Sequence, residues 1–243
     1  MTSSGKSRSA YEWLIVVEGT SDSDTLSVYL GQNHCRFLPA RGRACALSWP
    51  DHVVKEVKIA ATRREFRGVI IVVDMDDNSE SPFGGYKRFP EESLPRETVS
   101  PPNQGMDQSE SYFSLDVIKG DYGWLPVRGI TVPASSDGCL ETDLLAAYGF
   151  PLPSQDEYAH FTSIIKKATE CWGIAGRNDG MPWWLDNEQS KLDKFMFAAL
   201  AHGFLRCCCV RDRKSLPAPR DKPRVITRLE IAMDACLPMP ATD

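Results

Sequence analysis

Residues 14–26, LIVVEGTSDSDTL, decide the fold that the sequence predicts. The apolar run Leu14–Val17 is short and rich in β-branched side chains, which is typical of a buried strand. Glu18, Gly19 and Asp22 follow it, and the serine and aspartate residues around Asp22 are helix-start signals. Acids at the carboxyl end of a strand in an open α/β sheet face the crevice in which ligands bind. The stretch therefore predicts an α/β fold with an acidic site at the end of its first strand.

A second stretch, residues 68–77 with the sequence GVIIVVDMDD, repeats this arrangement. The continuous apolar run Val69–Val73 is expected for a central parallel strand that is covered on both faces. Asp74 and Asp76 lie two residues apart, so on an extended backbone their side chains point the same way. Two carboxylates on one side repel each other unless one is protonated or a cation lies between them.

Taken together, the two motifs Glu18-Gly19-x-x-Asp22 and Asp74-x-Asp76 resemble those of the TOPRIM domain. This domain occurs in topoisomerases, bacterial primases, RecR-type repair proteins, overcoming-lysogenization-defect (OLD) nucleases and small stand-alone proteins. Each motif follows an apolar strand, as in that family.

A third block, residues 129–145 with the sequence GITVPASSDGCLETDLL, strengthens the resemblance. It is similar to the block of the small stand-alone TOPRIM proteins, in which a strand ends at a proline, a glycine follows and a Leu-Glu pair opens a helix. The pair here is Leu140 and Glu141. The resemblance covers about residues 11–148, and it points to small stand-alone bacterial proteins related to the OLD-type nucleases.

The resemblance implies an α/β fold with a TOPRIM-like, mostly parallel sheet flanked by helices, followed by a helical C-terminal extension. Residues 1–10 are expected to be disordered. The TOPRIM-like core is expected over 11–150, with a long loop at 78–110 that is rich in proline and glycine. The C-terminal extension is expected over 151–243, with a basic segment at 206–228.

Hydrophobic periodicity places the individual elements. The expected strands are Leu14–Val17, Cys35–Pro39, Val69–Val73, Tyr112–Ile118 and Trp124–Val132. The expected helices are Asp24–Leu30, Trp49–Arg64, Cys139–Tyr148, Gln155–Trp172 and Leu185–Leu205, with a last short element at Val225–Leu237. Ser136 or Asp137 is the expected cap of the helix that Gly149 ends.

The composition excludes several classes of protein. The chain has 243 residues, of which 42% are hydrophobic and 25% charged, as is ordinary for a globular protein. Its formal charge of −5 does not suggest a general nucleic-acid binder. Its eight cysteines include no Cys-x-x-Cys pair, so their spacing does not fit a zinc ribbon. No apolar run approaches membrane-spanning length and the N-terminus lacks an apolar signal core, so we expect a cytoplasmic protein without membrane contact.

The candidate metal site consists of carboxylates at predicted strand ends and helix starts. Oxygen ligands without histidine or cysteine favour Mg²⁺ or Mn²⁺ over zinc. Two ions, or one ion beside a protonated acid, would relieve the repulsion among the acids. The expected metal ligands are Glu18, Asp22, Asp74, Asp76 and Glu141.

The resemblance to OLD-type nucleases assigns further roles. It implies that Glu18 and the pair Asp74 and Asp76 are catalytic and anchor the metal. It also implies a lysine from a later helix that neutralises developing charge, for which Lys194 is our choice and Lys191 the alternative.

Four basic residues are candidates for nucleic-acid binding. Arg41 and Arg43 follow the second predicted strand, and Lys87 and Arg88 lie in the long loop beside two aromatic residues. The aromatic and basic tip at 86–89 could stack on a base and hold a phosphate. The alternative for the two arginines is that they are surface residues of a turn.

The sequence therefore predicts a Mg²⁺- or Mn²⁺-dependent nuclease that hydrolyses phosphodiester bonds in DNA or RNA. By resemblance, it could act in phage defence together with an ATPase partner. The alternative is a non-catalytic TOPRIM module that binds nucleic acid or another protein and holds one structural metal ion.

Overall fold

The computed structural model describes residues 13–30, 35–62, 66–75, 83–90, 105–106, 112–120, 123–133, 138–149 and 219–235, with scattered positions from 154 to 167. These residues form an α/β fold in which helices flank a mixed sheet. The predicted fold class is confirmed at this level. The TOPRIM assignment and the helical C-terminal extension stay predictions.

Helices connect the first three described strands, and three further strands and two helices follow them. The strands are β1 (Trp13–Val17), β2 (Cys35–Pro39), β3 (Gly68–Asp74), β4 (Gly105–Met106), β5 (Phe113–Gly120) and β6 (Gly123–Val132). The helices are α1 (Thr20–Leu30), α2 (Arg43–Ser48), α3 (Asp51–Thr62), α4 (Leu140–Ala147) and α5 (Arg224–Asp234). All five predicted strands are confirmed, whereas β4 lies inside the region predicted as a loop.

The sheet has the strand order β2-β1-β3-β6-β5-β4. β1 pairs in parallel with β2 on one side and with β3 on the other. Gly68 of β3 adjoins Pro126 of β6, and the Met75 N–H after β3 donates to the Val132 carbonyl over 2.8 Å, so β6 runs in the direction of β3. β5 is antiparallel to both β6 and β4, and in this sheet it alone runs against the other strands.

β1 and β3 form the buried centre of the sheet. Every residue of both strands is buried, and the side chains of Leu14, Ile15, Ile70 and Ile71 have no solvent exposure. Two apolar strands of this kind are stable only when helices cover both faces of the sheet, because exposing either face would hydrate a continuous apolar surface. This requirement fixes the α/β arrangement.

The predicted helix Trp49–Arg64 is wrong at its start. α3 begins at Asp51, and a separate helix, α2, precedes Trp49, which adopts a left-handed backbone with φ of 58°. Pro50 explains the break, because a proline ring disfavours helical geometry in the residue before it. The Pro50 carbonyl then accepts hydrogen bonds from the N–H groups at 53 and 54 and opens α3.

α1 also begins earlier than the predicted residue Asp24. Asp22 accepts a hydrogen bond from the Gly19 N–H over 2.8 Å, and the Ser23 N–H donates to the Gly19 carbonyl over 3.3 Å. These bonds close the first helical turn around Asp22, so the helix starts at Thr20.

α4 is capped by residues other than those predicted. Ser136 and Asp137 lie outside the described residues, and the helix start is closed by Cys139 and Thr142. The Cys139 N–H donates to Thr142 Oγ1 over 3.0 Å, while the Thr142 N–H donates to the Cys139 carbonyl over 3.1 Å. Gly149 ends the helix in a left-handed conformation with φ of 73°, as predicted.

α4 and the start of α5 are joined by hydrogen bonds. The buried Asp143 carboxylate accepts from the Val225 N–H over 2.7 Å, which caps α5. The Asp221 N–H donates to the Ala147 carbonyl over 2.9 Å. Asp143 therefore stabilises the start of α5 from a different helix.

Two buried arginines connect the residues from Arg228 to Ala235 to the sheet. The Arg128 guanidinium lies 5.3 Å from the Trp13 ring centroid and 4.8 Å from that of Tyr112, and it donates to the Ala235 carbonyl over 2.6 Å. Arg228 donates to the Thr131 carbonyl. Arg228, counted in the predicted basic segment, is therefore an interior residue.

The chain falls into two compact units. The first consists of Met1–Val73, Phe83–Thr131 and Arg228–Asp243, and the second of Asp74–Pro82 and Val132–Thr227. The predicted boundary at residue 150 stays a prediction, because most of the chain beyond it lies outside the described residues.

The predicted helix Leu185–Leu205 lies outside the described residues, as do residues 1–10. The predicted helix Gln155–Trp172 is described only at scattered positions. Ser154 and Glu157 form a reciprocal cap at its start, with the Ser154 N–H donating to Glu157 Oε2 over 2.8 Å. Within the part of the chain that the structure describes, no helix is both long and apolar enough to cross a bilayer.

Gly68 allows the close approach of β3 to its neighbours. A Cβ atom at this position would lie 2.8 Å from the Pro126 carbonyl oxygen and even closer to the Trp13 ring. We therefore expect Gly68→Ala to lower the free energy of unfolding by about 1–3 kcal/mol, measured by urea denaturation. Gly85→Ala is the matched control, because its Cβ would meet only Leu47 Cδ1 at 3.9 Å, an ordinary contact. Equal stability of the two variants would contradict the close packing at Gly68.

Candidate functional site

The two strands that precede the predicted acids are parallel neighbours. β1 and β3 pair with Val16 opposite Ile71, so the carboxyl ends of both strands lie at the same edge of the sheet. Glu18 is the first residue after β1, and Asp74 is the last residue of β3. Each of the two predicted motifs therefore begins at the carboxyl end of its own strand.

Asp22 has a local structural role. It is 9% exposed, and its Oδ2 accepts the Gly19 N–H while its Oδ1 accepts the Ser21 hydroxyl over 3.3 Å. The carboxylate thus stabilises the turn between β1 and α1, directly after Glu18. Glu18 itself is half-buried.

Asp74 and Glu141 are brought together in the second unit. Asp74 is 4% exposed and its Oδ1 accepts the Leu140 N–H over 2.9 Å, at the first residue of α4. Glu141 is the next residue and is 7% exposed. The hydrogen bond joins residues 66 apart in the chain, so acids from two separate motifs lie at the start of one helix. A helix start favours negative charge because its N–H groups and dipole point toward the anion.

The other predicted catalytic residues lie outside the described residues, namely Asp76, Lys194 and Lys191. Among the described residues, no three histidine, cysteine, aspartate or glutamate side chains form a group arranged to hold a metal ion. The five-ligand cluster and the lysine therefore stay predictions.

The turn that carries Arg41 and Arg43 lies against the end of β1. The Gly42 N–H donates to the Glu18 carbonyl over 2.7 Å, and the Ala40 N–H donates to the Val17 carbonyl over 2.8 Å. Arg41 has a φ of 71° and Gly42 a φ of 112°, both in the left-handed region. The hydrogen bonds place this basic turn directly beside the first predicted acid.

Arg41 occupies a backbone conformation that favours glycine or asparagine. A side chain in this region costs roughly 1–2 kcal/mol relative to an ordinary conformation. Arg41 is exposed, so its packing does not explain its presence. The charge of Arg41 is the remaining property by which this residue type can contribute.

The loop that carries Lys87 and Arg88 is anchored at the backbone of Lys87. The Lys87 N–H donates to the Leu47 carbonyl over 2.8 Å, and the Lys87 carbonyl accepts from Trp49 Nε1 over 2.7 Å. Phe89 packs edge-on against Trp49 with ring centroids 5.0 Å apart. The side chains of Lys87 and Arg88 are exposed.

Asp116 holds the same loop from the sheet. Its Oδ2 accepts from the Phe89 N–H over 3.2 Å and from the Tyr86 hydroxyl over 3.5 Å. The β5 strand is irregular between Ser114 and Asp116, as expected for a bulge that redirects a side chain. Asp116 therefore connects β5 to the basic loop.

The expected stacking role of the aromatic residues in this loop is wrong for Phe89. Phe89 is 5% exposed and belongs to the core, together with Phe83. Tyr86 packs against this core and is half-buried. The reason is Trp49, because its ring offers an apolar surface to Tyr86 and to Phe89. Only the basic residues of the predicted tip face solvent.

Comparison of the chain with protein-family models, with curated proteins and with solved structures found no match. The TOPRIM resemblance therefore rests on the motifs quoted above.

Sequence reasoning did not identify Trp49, Asp116 and Asp143 as organising residues. Pro50 was an available signal for the role of Trp49, because a proline after a residue favours a helix break there. No comparable local signal marks Asp116 or Asp143, whose partners lie 27 and 82 residues away in the chain.

Tyr86 generates a prediction at alkaline pH. Burial and the neighbouring Asp116 carboxylate raise the pKa of Tyr86 far above its ordinary value. In the unfolded chain the phenol returns to a pKa of about 10, so above that pH the unfolded state binds fewer protons than the folded state. The stabilisation from Tyr86 is therefore complete below about pH 10 and decreases as the pH rises further.

The measurement is the unfolding free energy of wild type and Tyr86→Phe between pH 8 and 11. We expect the advantage of the wild type at pH 8 to shrink above about pH 10. A difference between the two proteins that stays constant across this range would contradict a Tyr86 phenol that remains protonated in the folded protein.

Proposed function

We propose that the protein is a Mg²⁺- or Mn²⁺-dependent nuclease that hydrolyses phosphodiester bonds in DNA or RNA. The single observation that carries the proposal is the placement of Asp74 and Glu141, two buried acids from separate motifs, at the start of α4. Removing carboxylates from water is costly, and a bound divalent cation offsets both this cost and their mutual repulsion.

The donor set fits such an ion. Carboxylate oxygens are the ligands that Mg²⁺ and Mn²⁺ prefer. The Oδ1 atom of Asp74 accepts a hydrogen bond from the Leu140 N–H, and this bond fixes the orientation of the carboxylate. Bound metal would supply Lewis acidity toward a phosphodiester oxygen and toward water. In the proposal, Glu18, Asp22 and Asp76 complete the ligand set. Lys194, or alternatively Lys191, neutralises the negative charge that develops during hydrolysis.

The role of the protein groups is mainly positioning. The Gly42 N–H bond to the Glu18 carbonyl fixes the backbone at the end of β1, and the cap between Asp74 and Leu140 fixes the end of β3. Acids oriented by backbone donors lose less side-chain entropy when they bind an ion or substrate. An ATPase partner, as the resemblance implies, belongs to the same proposal.

A second candidate function is a non-catalytic module that binds nucleic acid or protein with one structural ion. The observation that favours it is that Asp22 and Asp74 each accept a backbone N–H, as acids with a purely structural role do. The two functions differ in whether ion binding is accompanied by cleavage.

The test compares Asp74→Asn and Glu141→Gln with the wild type in Mn²⁺- and Mg²⁺-dependent cleavage of labelled DNA and RNA oligonucleotides. Both substitutions keep the size of the side chain and one acceptor oxygen, which leaves the Leu140 N–H a partner at position 74, so the fold should be retained. We expect each to lower the cleavage rate about 100-fold or more, since several kcal/mol of transition-state stabilisation depend on the metal. Asp24→Asn, at an exposed position of α1, is the control with unchanged activity.

Calorimetric titration with Mn²⁺ on the same proteins separates the outcomes. Ion binding by a wild type that cleaves none of the substrates would favour the non-catalytic module. Cleavage by Asp74→Asn at the wild-type rate would show that the assigned role of this acid is wrong.

A further inference from the structure

Two segments of the first unit that carry the exposed residues Arg41, Lys87 and Arg88 and the half-buried Arg43 both adjoin α2. The turn at 41–43 opens α2, and the loop at 83–90 packs against the other end of this helix through the Lys87 N–H bond to the Leu47 carbonyl. Arg43 and Leu47 are one helical turn apart, about 6 Å along the axis. The two pairs of basic residues therefore belong to one short surface.

The backbone of both segments is fixed before any ligand binds. The turn is tied to the end of β1 by the Gly42 bond to Glu18, and the loop is tied by both backbone groups of Lys87 and by Asp116. Ordering a flexible loop on binding costs free energy, which a fixed loop does not incur. The exposed lysine and arginine are thus presented by a prearranged backbone.

The charges of Arg41, Lys87 and Arg88 are exposed to solvent. None of Arg41, Lys87 and Arg88 forms an ion pair with a residue in the described part of the chain. The protein as a whole carries −5, so a concentration of positive charge here is a local feature. Arg41 has a left-handed backbone conformation, which glycine would adopt with less conformational strain.

We infer that the Arg41–Arg43 turn and the Lys87–Arg88 loop form one preorganised face that binds the sugar-phosphate backbone of a nucleic-acid strand beside Glu18. The inference rests on the proposed function for the identity of its ligand, and it adds how the strand is held. Phosphate contacts position a nucleic acid without reading its sequence, so the face is expected to bind independently of sequence. We call the surface formed by Arg41, Arg43, Lys87 and Arg88 the basic face.

The first experiment measures binding without cleavage. Fluorescence anisotropy of labelled 20-nucleotide DNA and RNA strands is recorded in EDTA, so that the proposed metal site does not contribute. Lys87→Ala/Arg88→Ala is expected to weaken binding at least about fivefold and to reduce the salt dependence by about 1.4 in log-log slope, or about 0.7 for each lost phosphate contact. Lys55→Ala/Lys58→Ala, which removes the same charge from α3, is the control with near wild-type binding.

The second experiment separates prearrangement from charge. Asp116→Ala removes a negative charge near the basic face, which alone would tighten binding of a polyanion, but it also releases the loop. We expect binding at least about threefold weaker than that of the wild type. Trp49→Phe removes the bond to the Lys87 carbonyl without changing charge, and it should weaken binding in the same direction.

The outcomes distinguish this inference from the proposed function. Equal losses in the Lys55/Lys58 and Lys87/Arg88 variants, or tighter binding by Asp116→Ala with an unchanged melting transition, would overturn the basic face. Binding in EDTA that depends on Lys87 and Arg88, without metal-dependent cleavage, would support the face and contradict the nuclease.

Discussion

The pairing of two wholly buried strands, β1 and β3, is the constraint on which the rest of this structure depends. Because every residue of both strands is buried and all but Asp74 at the end of β3 are non-polar, both strands must lie in the middle of the sheet beneath helices. Their parallel pairing then aligns the two strands in the same direction. Glu18 follows the end of β1, and Asp74 is the last residue of β3. Core packing therefore decides where acids appear, before any chemistry is considered.

The parts of the fold that the sequence predicts are those with a strong local signal. β2 was predicted with its observed bounds, Cys35–Pro39, and β3 to within a residue at each end. α2 was missed because six residues are too few to show helical periodicity, and because its formation depends on tertiary contacts more than on propensity. β4 has only two residues, Gly105–Met106, and exists through its pairing with β5.

The candidate site also has features that the sequence predicts and features that it does not. The types of its residues could be read from motifs, but their partners could not, because these partners are distant in the chain. Asp74 meets Leu140, and Phe89 meets Trp49, through packing that no short window contains. The composition of the loop at 86–89 suggested an exposed aromatic tip, whereas burial of an aromatic ring is favourable wherever the fold offers it an apolar partner.

α2 shows how these constraints combine. It is a six-residue helix bounded by two non-glycine residues in left-handed conformations, Arg41 before it and Trp49 after it. Such strain persists only where surrounding contacts compensate for it. At the Trp49 end, these contacts are the ring packing with Phe89 and the bond to the Lys87 carbonyl. At the Arg41 end, the compensating contact is the bond between Gly42 and Glu18, which involves the main chain alone and makes no use of the arginine side chain. The two ends are therefore stabilised differently: Trp49 is retained by packing, whereas the arginine is accounted for by its charge beside the acidic edge.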